Sequence, residues 1–157
     1  MINHPGIEAP RLEVPDRALS SARMMVNRAA WAARYYRAFD RDHVLRIAEA
    51  VARAGHERAG HYADWAVRET GFGVVEHKKT KNELSALPLL DHYRDLDLVS
   101  PRIDAERKIV EIPKPAGVIF ALAPATNPVA TIYYKAMLAI LSRNAIVFSP
   151  HPAAREC

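Results

Sequence analysis

Residues 115–152, PAGVIFALAPATNPVATIYYKAMLAILSRNAIVFSPHP, decide the fold of this chain. Val118-Ile-Phe-Ala-Leu-Ala123 is an apolar run without alternation, the pattern of a strand buried on both faces. Pro124-Ala-Thr-Asn-Pro128 interrupts it. Helical spacing follows through Ile132, Lys135, Ala136, Ala139 and Ile140, and Ala145-Ile-Val-Phe148 reads as a second buried strand. The sum is one βαβ unit, whose crossover is expected to be right-handed. Its two strands run in the same direction, so the loops 124–128 and 149–152 leave the sheet at one edge. Open α/β sheets bind their ligands at that edge.

The chain has 157 residues, half of them hydrophobic and a quarter charged, a composition of soluble globular domains and not of disordered ones. No apolar run is long enough to cross a bilayer, and the first residues lack the apolar core of an export signal. One cysteine, Cys157, excludes an internal disulfide and fits a reducing, cytoplasmic setting. The excess of 22 Lys and Arg over 18 Asp and Glu is mild and singles out no partner. A two-stranded parallel sheet leaves faces and edges to be covered, and Pro152-Ala-Ala-Arg-Glu156 resembles the first turn of another helix. The chain is therefore expected to be the front portion of a longer protein.

Ahead of the βαβ unit, residues 1 to 17 carry three prolines and no periodicity, as in an extended lead-in. Ser20 or Ser21 is a candidate cap for a helix to about Phe39, with Ala22, Val26, Ala29, Ala33 and Tyr36 inward and arginines outward. Asp40 or Asp42 caps a second helix with Val44, Ile47, Ala48 and Val51 inward and Gly55 near its end. A third helix is expected over Arg58 to Thr70, stopped by Gly71, and a fourth over Val75 to Leu87, ended by Pro88. Val99–Arg102 and Lys108–Ile112 read as a hairpin joined by a polar turn, detached by Pro113 and Pro115 from the strand that follows. The expected division is a helical region over 1–97, a hairpin over 98–114 and the opening of a parallel sheet over 115–157.

Among polar residues Asn127 carries the most chemistry. Its amide offers two donors at the mouth of the sheet, where they can stabilise a developing oxyanion. Asn followed by Pro is also what an N-cap and first helical position look like, and both readings stay open. In the sister loop, Ser149-Pro-His-Pro152 is a rigid turn or a preformed wall for a cofactor. His151 can reach a ribose or phosphate, or simply be solvated. Lys135 reads as a surface charge. No Gly-x-Gly-x-x-Gly fingerprint and no phosphate-binding loop occurs. His56 and His61 lack a third ligand for zinc, so no metal is expected. The arginine-bearing first helix lacks the aromatic platform of a single-strand binder, so no nucleic acid is expected either.

At these residues the chain resembles the aldehyde dehydrogenase superfamily, and its CoA-acylating branch in particular. Pro115-Ala-Gly-Val-Ile119 is similar to the entry of the first coenzyme-domain strand. Pro124-Ala-Thr-Asn-Pro128 is similar to the family's Pro-x-x-Asn-Pro loop, and Arg143–Pro152 (RNAIVFSPHP) to a signature of the acylating branch. Upstream, Glu69-Thr-Gly-Phe-Gly73 and Lys78–Asn82 (KKTKN) fit the same branch. The resemblance implies an α/β fold whose parallel sheet is Rossmann-like and opens the NAD(P)-binding domain, with the hairpin in an oligomerisation arm. It implies oxidation of a small aldehyde by NAD or NADP, with coenzyme A taking up the acyl group from a cysteine thiolate. Asn127 would be the oxyanion-hole donor. Ala123, Pro124, Ala125 and Thr126 would line the nicotinamide side, and Ser149, Pro150 and His151 the adenosine end. Ser149 stands where many non-acylating members have lysine, which implies a looser hold on the ribose. Cys157 is not in the context of the family's nucleophile, so the isolated chain is expected to be inactive. A non-catalytic nucleotide-binding or oligomerisation module is the alternative.

Overall fold

The computed structural model describes residues 15–157, and most of the expected lead-in lies outside them. Six helices and four strands follow: α1 Asp16–Tyr36, α2 Arg41–Glu57, α3 Ala59–Thr70, α4 Val75–Leu84, α5 Leu87–Tyr93, β1 Arg102–Asp104, β2 Ile109–Glu111, β3 Val118–Ala123, α6 Pro128–Leu141 and β4 Ala145–Pro150. No helix among the described residues is long and apolar enough to cross a membrane.

The helix boundaries follow local chemistry, in places differently from the sequence expectation. α1 starts ahead of Ser20, because Pro15 presets the backbone and lends its carbonyl to the N–H groups of Ala18 and Leu19. Its inward stripe survives only as Ala29, Ala33 and the half-buried Tyr36; Ala22 and Val26 face outward, with no described element over them. Asp40 caps α2 as expected, accepting the His43 N–H at 2.9 Å. The buried stripe of α2 is Val44, Ala48, Ala52 and Gly55, so Val51 turns outward. Gly55 lies near the end of that helix as expected, two residues before Glu57. A Cβ there would stand 3.1 Å from the Tyr133 ring, so the missing side chain is what lets α6 approach. Gly71 does stop α3, in the left-handed conformation at φ 70°.

The single helix expected to Leu87 is two. α4 closes at Leu84, and Pro88 opens α5 instead of ending its predecessor, because proline is at home in a first helical turn where its missing N–H has no partner to lose. α2, α5 and α6 then enclose a small core of Ala48, Ala52, Leu90, Met137 and Leu141.

β1 and β2 pair antiparallel with Ile103 opposite Val110, and Arg102 and Glu111 add an ion pair at 2.6 Å. The strands are shorter than expected and pack on no other helix or strand among the described residues. Ile103, Ile109, Val110 and Ile112 are left exposed on the hairpin. β3 and β4 pair in parallel, from Val118 opposite Ala145 to Ala123 opposite Pro150. Their start is fixed by Asn144, whose Oδ1 accepts the Gly117 N–H at 2.8 Å. α6 packs on both strands. The expectation that β3 is buried on both faces fails: Ala121 and Ala123 are buried, while Phe120 and Leu122 are 67% and 63% exposed. An apolar run without alternation suits two covered faces, and only one is covered by the described elements.

Two half-buried tyrosines give the fold an alkaline limit. Tyr36 donates its hydroxyl to the Ile140 carbonyl at 3.0 Å. Burial pushes it up to about 12, with the Arg143 guanidinium pulling the other way. Burial also pushes Tyr133 up to about 12, helped by Tyr62. An unfolded tyrosine ionises near about 10. Between those values the unfolded chain releases protons that the folded chain retains. The stabilisation is therefore complete below about pH 10 and disappears as pH rises towards about 12. Melts across that window should fall, and the doubly substituted Tyr36→Phe, Tyr133→Phe chain should fall less steeply. Equal slopes for the two chains would refute the assignment.

Candidate active-site edge

The parallel register brings both ligand loops to one edge. The His151 N–H donates to the Ala123 carbonyl at 2.9 Å, joining the start of one loop to the other. In the first loop Ala123 and Ala125 are buried, Pro124 and Thr126 exposed, and Asn127 half-buried. In the second, Ser149 is half-buried, and Pro150 and His151 are exposed. The His151 ring folds back so that Nδ1 accepts the Ala153 N–H at 3.1 Å, which leaves Nε2 outward.

Asn127 precedes α6 with φ −143° and ψ 61°, and its carbonyl accepts the Thr131 N–H. Its side chain makes no capping hydrogen bond, so the cap reading holds only for its backbone. Pro128 occupies the first helical position, as expected from the Asn-Pro pair. The Asn127 Oδ1 instead accepts from Lys81 Nζ at 3.1 Å. Among the described residues no acceptor takes up its Nδ2 hydrogens.

Lysines from two helices hold this loop, Lys78 and Lys81 from α4 and Lys135 from α6. Lys78 Nζ donates to the Thr126 carbonyl at 2.7 Å, and Lys135 Nζ to the Leu122 carbonyl at 2.7 Å. Lys135 is thus no idle surface charge: it ties α6 back to the end of β3. Lys78 is only 5% exposed. Burial lowers its pKa, and the neighbouring Lys81 charge lowers it further. Its stem lies against Gly73, where an added Cβ would stand 3.2 Å from Lys78 Cε. Gly73 is left-handed at φ 82°, a second reason for glycine there. Three separated stretches of sequence, 69–73, 78–82 and 124–128, thereby become one structure. Lys78, Lys81 and Asn82 are spaced to share one helix face, a signal present in the sequence but not used for placing the loop. The cavity between that face and Asn127 is about 10 Å³.

Glu69 closes the other side. Its carboxylate accepts the backbone N–H groups of Arg155, Glu156 and Cys157 at 2.7, 2.9 and 2.8 Å. These bonds, led by that of Glu156, hold its pKa below the ordinary range. Residues 152–155 form a turn and bends, not the expected helical turn, yet the N–H groups of 155–157 converge as at a helix start. Burial, followed by the Glu69 carboxylate, pushes the Cys157 thiol up to about 11. A thiol so raised stays protonated at neutral pH and is a poor nucleophile.

No protein-family model matches the chain. Similarity to known proteins is nonetheless extensive. The chain is 33% identical over 133 residues to the bifunctional aldehyde-alcohol dehydrogenase AdhE of Escherichia coli, covering 84% of this chain and 15% of that protein. It is 34% identical over 137 residues to the acetylating succinate-semialdehyde dehydrogenase of Clostridium kluyveri, covering 87% of this chain and 30% of the relative. The solved acetylating aldehyde dehydrogenase of Geobacillus thermoglucosidasius superposes with a TM-score of 0.86 at 37% identity, over 90% of this chain and 31% of that one. Propionaldehyde dehydrogenase of Rhodopseudomonas palustris, solved with bound CoA and an acylated cysteine, superposes at 0.69 with 28% identity, over 85% of this chain and 30% of that one. The chain thus spans less than a third of the length of each.

Proposed function

We propose, for a chain that belongs by sequence and fold to the CoA-acylating branch of the aldehyde dehydrogenase superfamily, that it supplies the oxyanion donor and one wall of the coenzyme site. The whole protein would convert a small aldehyde, CoA and NAD or NADP into an acyl-CoA and the reduced coenzyme. The observation that carries this reading is the Asn127 amide. Its oxygen is occupied by Lys81 and its nitrogen is left to donate at the ligand edge.

The chemistry follows from those atoms. Attack of a thiolate on an aldehyde carbonyl turns the carbonyl oxygen into an alkoxide, and Nδ2 can hydrogen-bond that oxygen as its charge develops. The ammonium groups of Lys78, Lys81 and Lys135, all bonded to atoms of the 122–127 loop, set a positive field around it. The nicotinamide coenzyme, when bound, accepts the hydride. Residues free to hold it fit the edge: Pro124 and Thr126 present exposed surface with Ala123 and Ala125 behind them, and Ser149, Pro150 and His151 continue the wall. Ser149, lacking a lysine's charge and reach, would hold the adenosine end loosely enough for CoA to share the pocket. Cys157 is not the nucleophile, on the grounds of its raised pKa and its place beside Glu69. The hairpin β1–β2, which exposes Ile103, Ile109 and Val110 and stands clear of the other described helices and strands, suits an oligomerisation arm in a homo-oligomer.

The test is to supply the intact gene product with acetaldehyde, propionaldehyde or succinate semialdehyde, each with NAD or NADP, with and without CoA. Formation of reduced coenzyme and acyl-CoA that requires CoA is the expected result, and residues 1–157 alone should give none. No CoA-dependent turnover from the intact protein would overturn the reading and favour a non-catalytic module. Turnover by residues 1–157 would overturn the expected inactivity.

A further inference from the structure

We propose that Lys81 is a positioning residue for the Asn127 amide: its ammonium fixes the amide with Oδ1 held and Nδ2 presented, while Lys78 fixes the peptide that carries it. This inference rests on the reading of Asn127 as the oxyanion donor.

A primary amide can sit in either of two orientations that differ by half a turn, and only one presents the nitrogen to the ligand edge. At the N-terminal end of α6, the free choice for Asn127 would be to turn Oδ1 onto the N–H groups of the first turn, as N-cap residues do. That bond is absent. Lys81 takes the oxygen instead, at 3.1 Å. An ammonium group has donors and no acceptor, so the amide atom facing it must be the oxygen. The orientation is thereby dictated by chemistry and not by a choice between similar atoms.

The support behind Lys81 is rigid. One residue further along α4, Asn82 is 2% exposed and donates to the Ala59 carbonyl at 3.0 Å, which sets the rotation of that helix against α3. Three residues before Lys81, Lys78 is buried against Gly73 and bonded to the Thr126 carbonyl. On its inner side the Lys81–Asn127 contact borders a cavity of only about 10 Å³, while its outer side opens on a groove of about 520 Å³ lined also by Leu84, Thr131, Tyr134 and Lys135. At 3.1 Å the bond from Lys81 to the amide oxygen is direct, with no room for a water between the two atoms. The contact also polarises the donor: charge drawn towards Oδ1 leaves the Nδ2 hydrogens more positive, and linked hydrogen bonds strengthen one another.

The experiment is a cycle in the intact gene product with Lys81→Met, Lys81→Gln, Lys81→Arg and Asn127→Ala. Lys81→Met should lower kcat about 10- to 100-fold, less than loss of the donor itself, and leave KM for the nicotinamide coenzyme within about twofold. Lys81→Arg keeps charge and donors and should recover most of kcat. Lys81→Gln, a neutral donor, should fall between them. Added to Asn127→Ala, Lys81→Met should cost no more than about a further twofold, since both act through one amide. Full multiplication of the two losses, or an unchanged kcat in Lys81→Met, would overturn the role of Lys81 while leaving Asn127 in place. Normal turnover by Asn127→Ala would overturn the oxyanion reading, and the positioning role with it. Lys81 is exposed, so melting temperatures should change little; if Lys81→Met loses stability, the Lys81→Gln and Lys81→Arg pair carries the comparison.

Discussion

Asn127→Asp is expected to lower kcat of the intact enzyme by at least about 10²- to 10³-fold while the melting temperature holds or rises. The exchange is nearly isosteric, so its effects separate the two parts that Asn127 can play. As a helix cap, aspartate is as good as asparagine, and its charge is favoured at the positive end of α6. It would also gain an ion pair with Lys81, now 3.1 Å from Oδ1, contributing up to about 1 kcal/mol at an exposed position. As an oxyanion donor it fails twice: it has no N–H, and its negative charge faces the charge that develops in the transition state. Asn127→Ala is the control, because it removes the donor without adding a charge, and its loss of kcat should be the smaller of the two. Steady-state kinetics and thermal melts on the same preparations decide the matter. If Asn127→Asp keeps wild-type turnover, Asn127 is not the oxyanion donor.

How much of this was legible in the sequence depended on whether one short stretch held the whole signal. The βαβ unit did: its strands, its helix and its Asn-Pro start are all local, and strand register then placed the two loops together. Gly71 as a stop and Asp40 as a cap are equally local. Pro88 was misread, and Gly55 was read only in part. Proline is a common terminator, but Pro88 belongs to the start of α5; Gly55 does stand near the end of α2, and it also makes room for the Tyr133 ring from another helix. Phe120 and Leu122 show a different limit, since an apolar run tells how much surface can be buried and not how many faces are covered. The loop-holding roles of Lys78 and Lys81 needed contacts between residues 46 and 48 positions apart. Their spacing along α4 put them on one face, yet no property of α4 alone says what that face meets. At Asn127, finally, local sequence left a side-chain cap and an oxyanion donor both open. A lysine from a distant helix took the oxygen that the cap would have used, and the local rule gave way to a tertiary contact.

Arg143→Ala is expected to destabilise the segment by about 3 kcal/mol, equivalent to a fall of roughly 6–12 °C in melting temperature for a chain of this size. Arg143 follows α6 in the left-handed conformation at φ 56°, an unusual place for a residue with a side chain. That turn aims its guanidinium at three carbonyls: Arg37 at 3.0 Å, Val99 at 3.3 Å and Pro113 at 3.0 Å. They belong to the end of α1 and to the chain on either side of the hairpin, segments otherwise far apart in sequence. Alanine would leave these carbonyls without their partner and keep the backbone strain. Arg143→Gly loses the same bonds but relieves the strain, so it should be the more stable of the two by about 1 kcal/mol. Arg143→Lys retains the charge, but a single ammonium lacks the planar fork that serves several carbonyls at once, so it should recover only part of the loss. The expected order of stability is arginine, lysine, glycine, alanine. Hydrogen exchange should locate the damage, with faster exchange in residues 99–113 and at the end of α1 and little change in α3 and α4. Unchanged exchange around the hairpin would show that Arg143 does not hold it. Equal stability for glycine and alanine would show that the left-handed turn costs nothing.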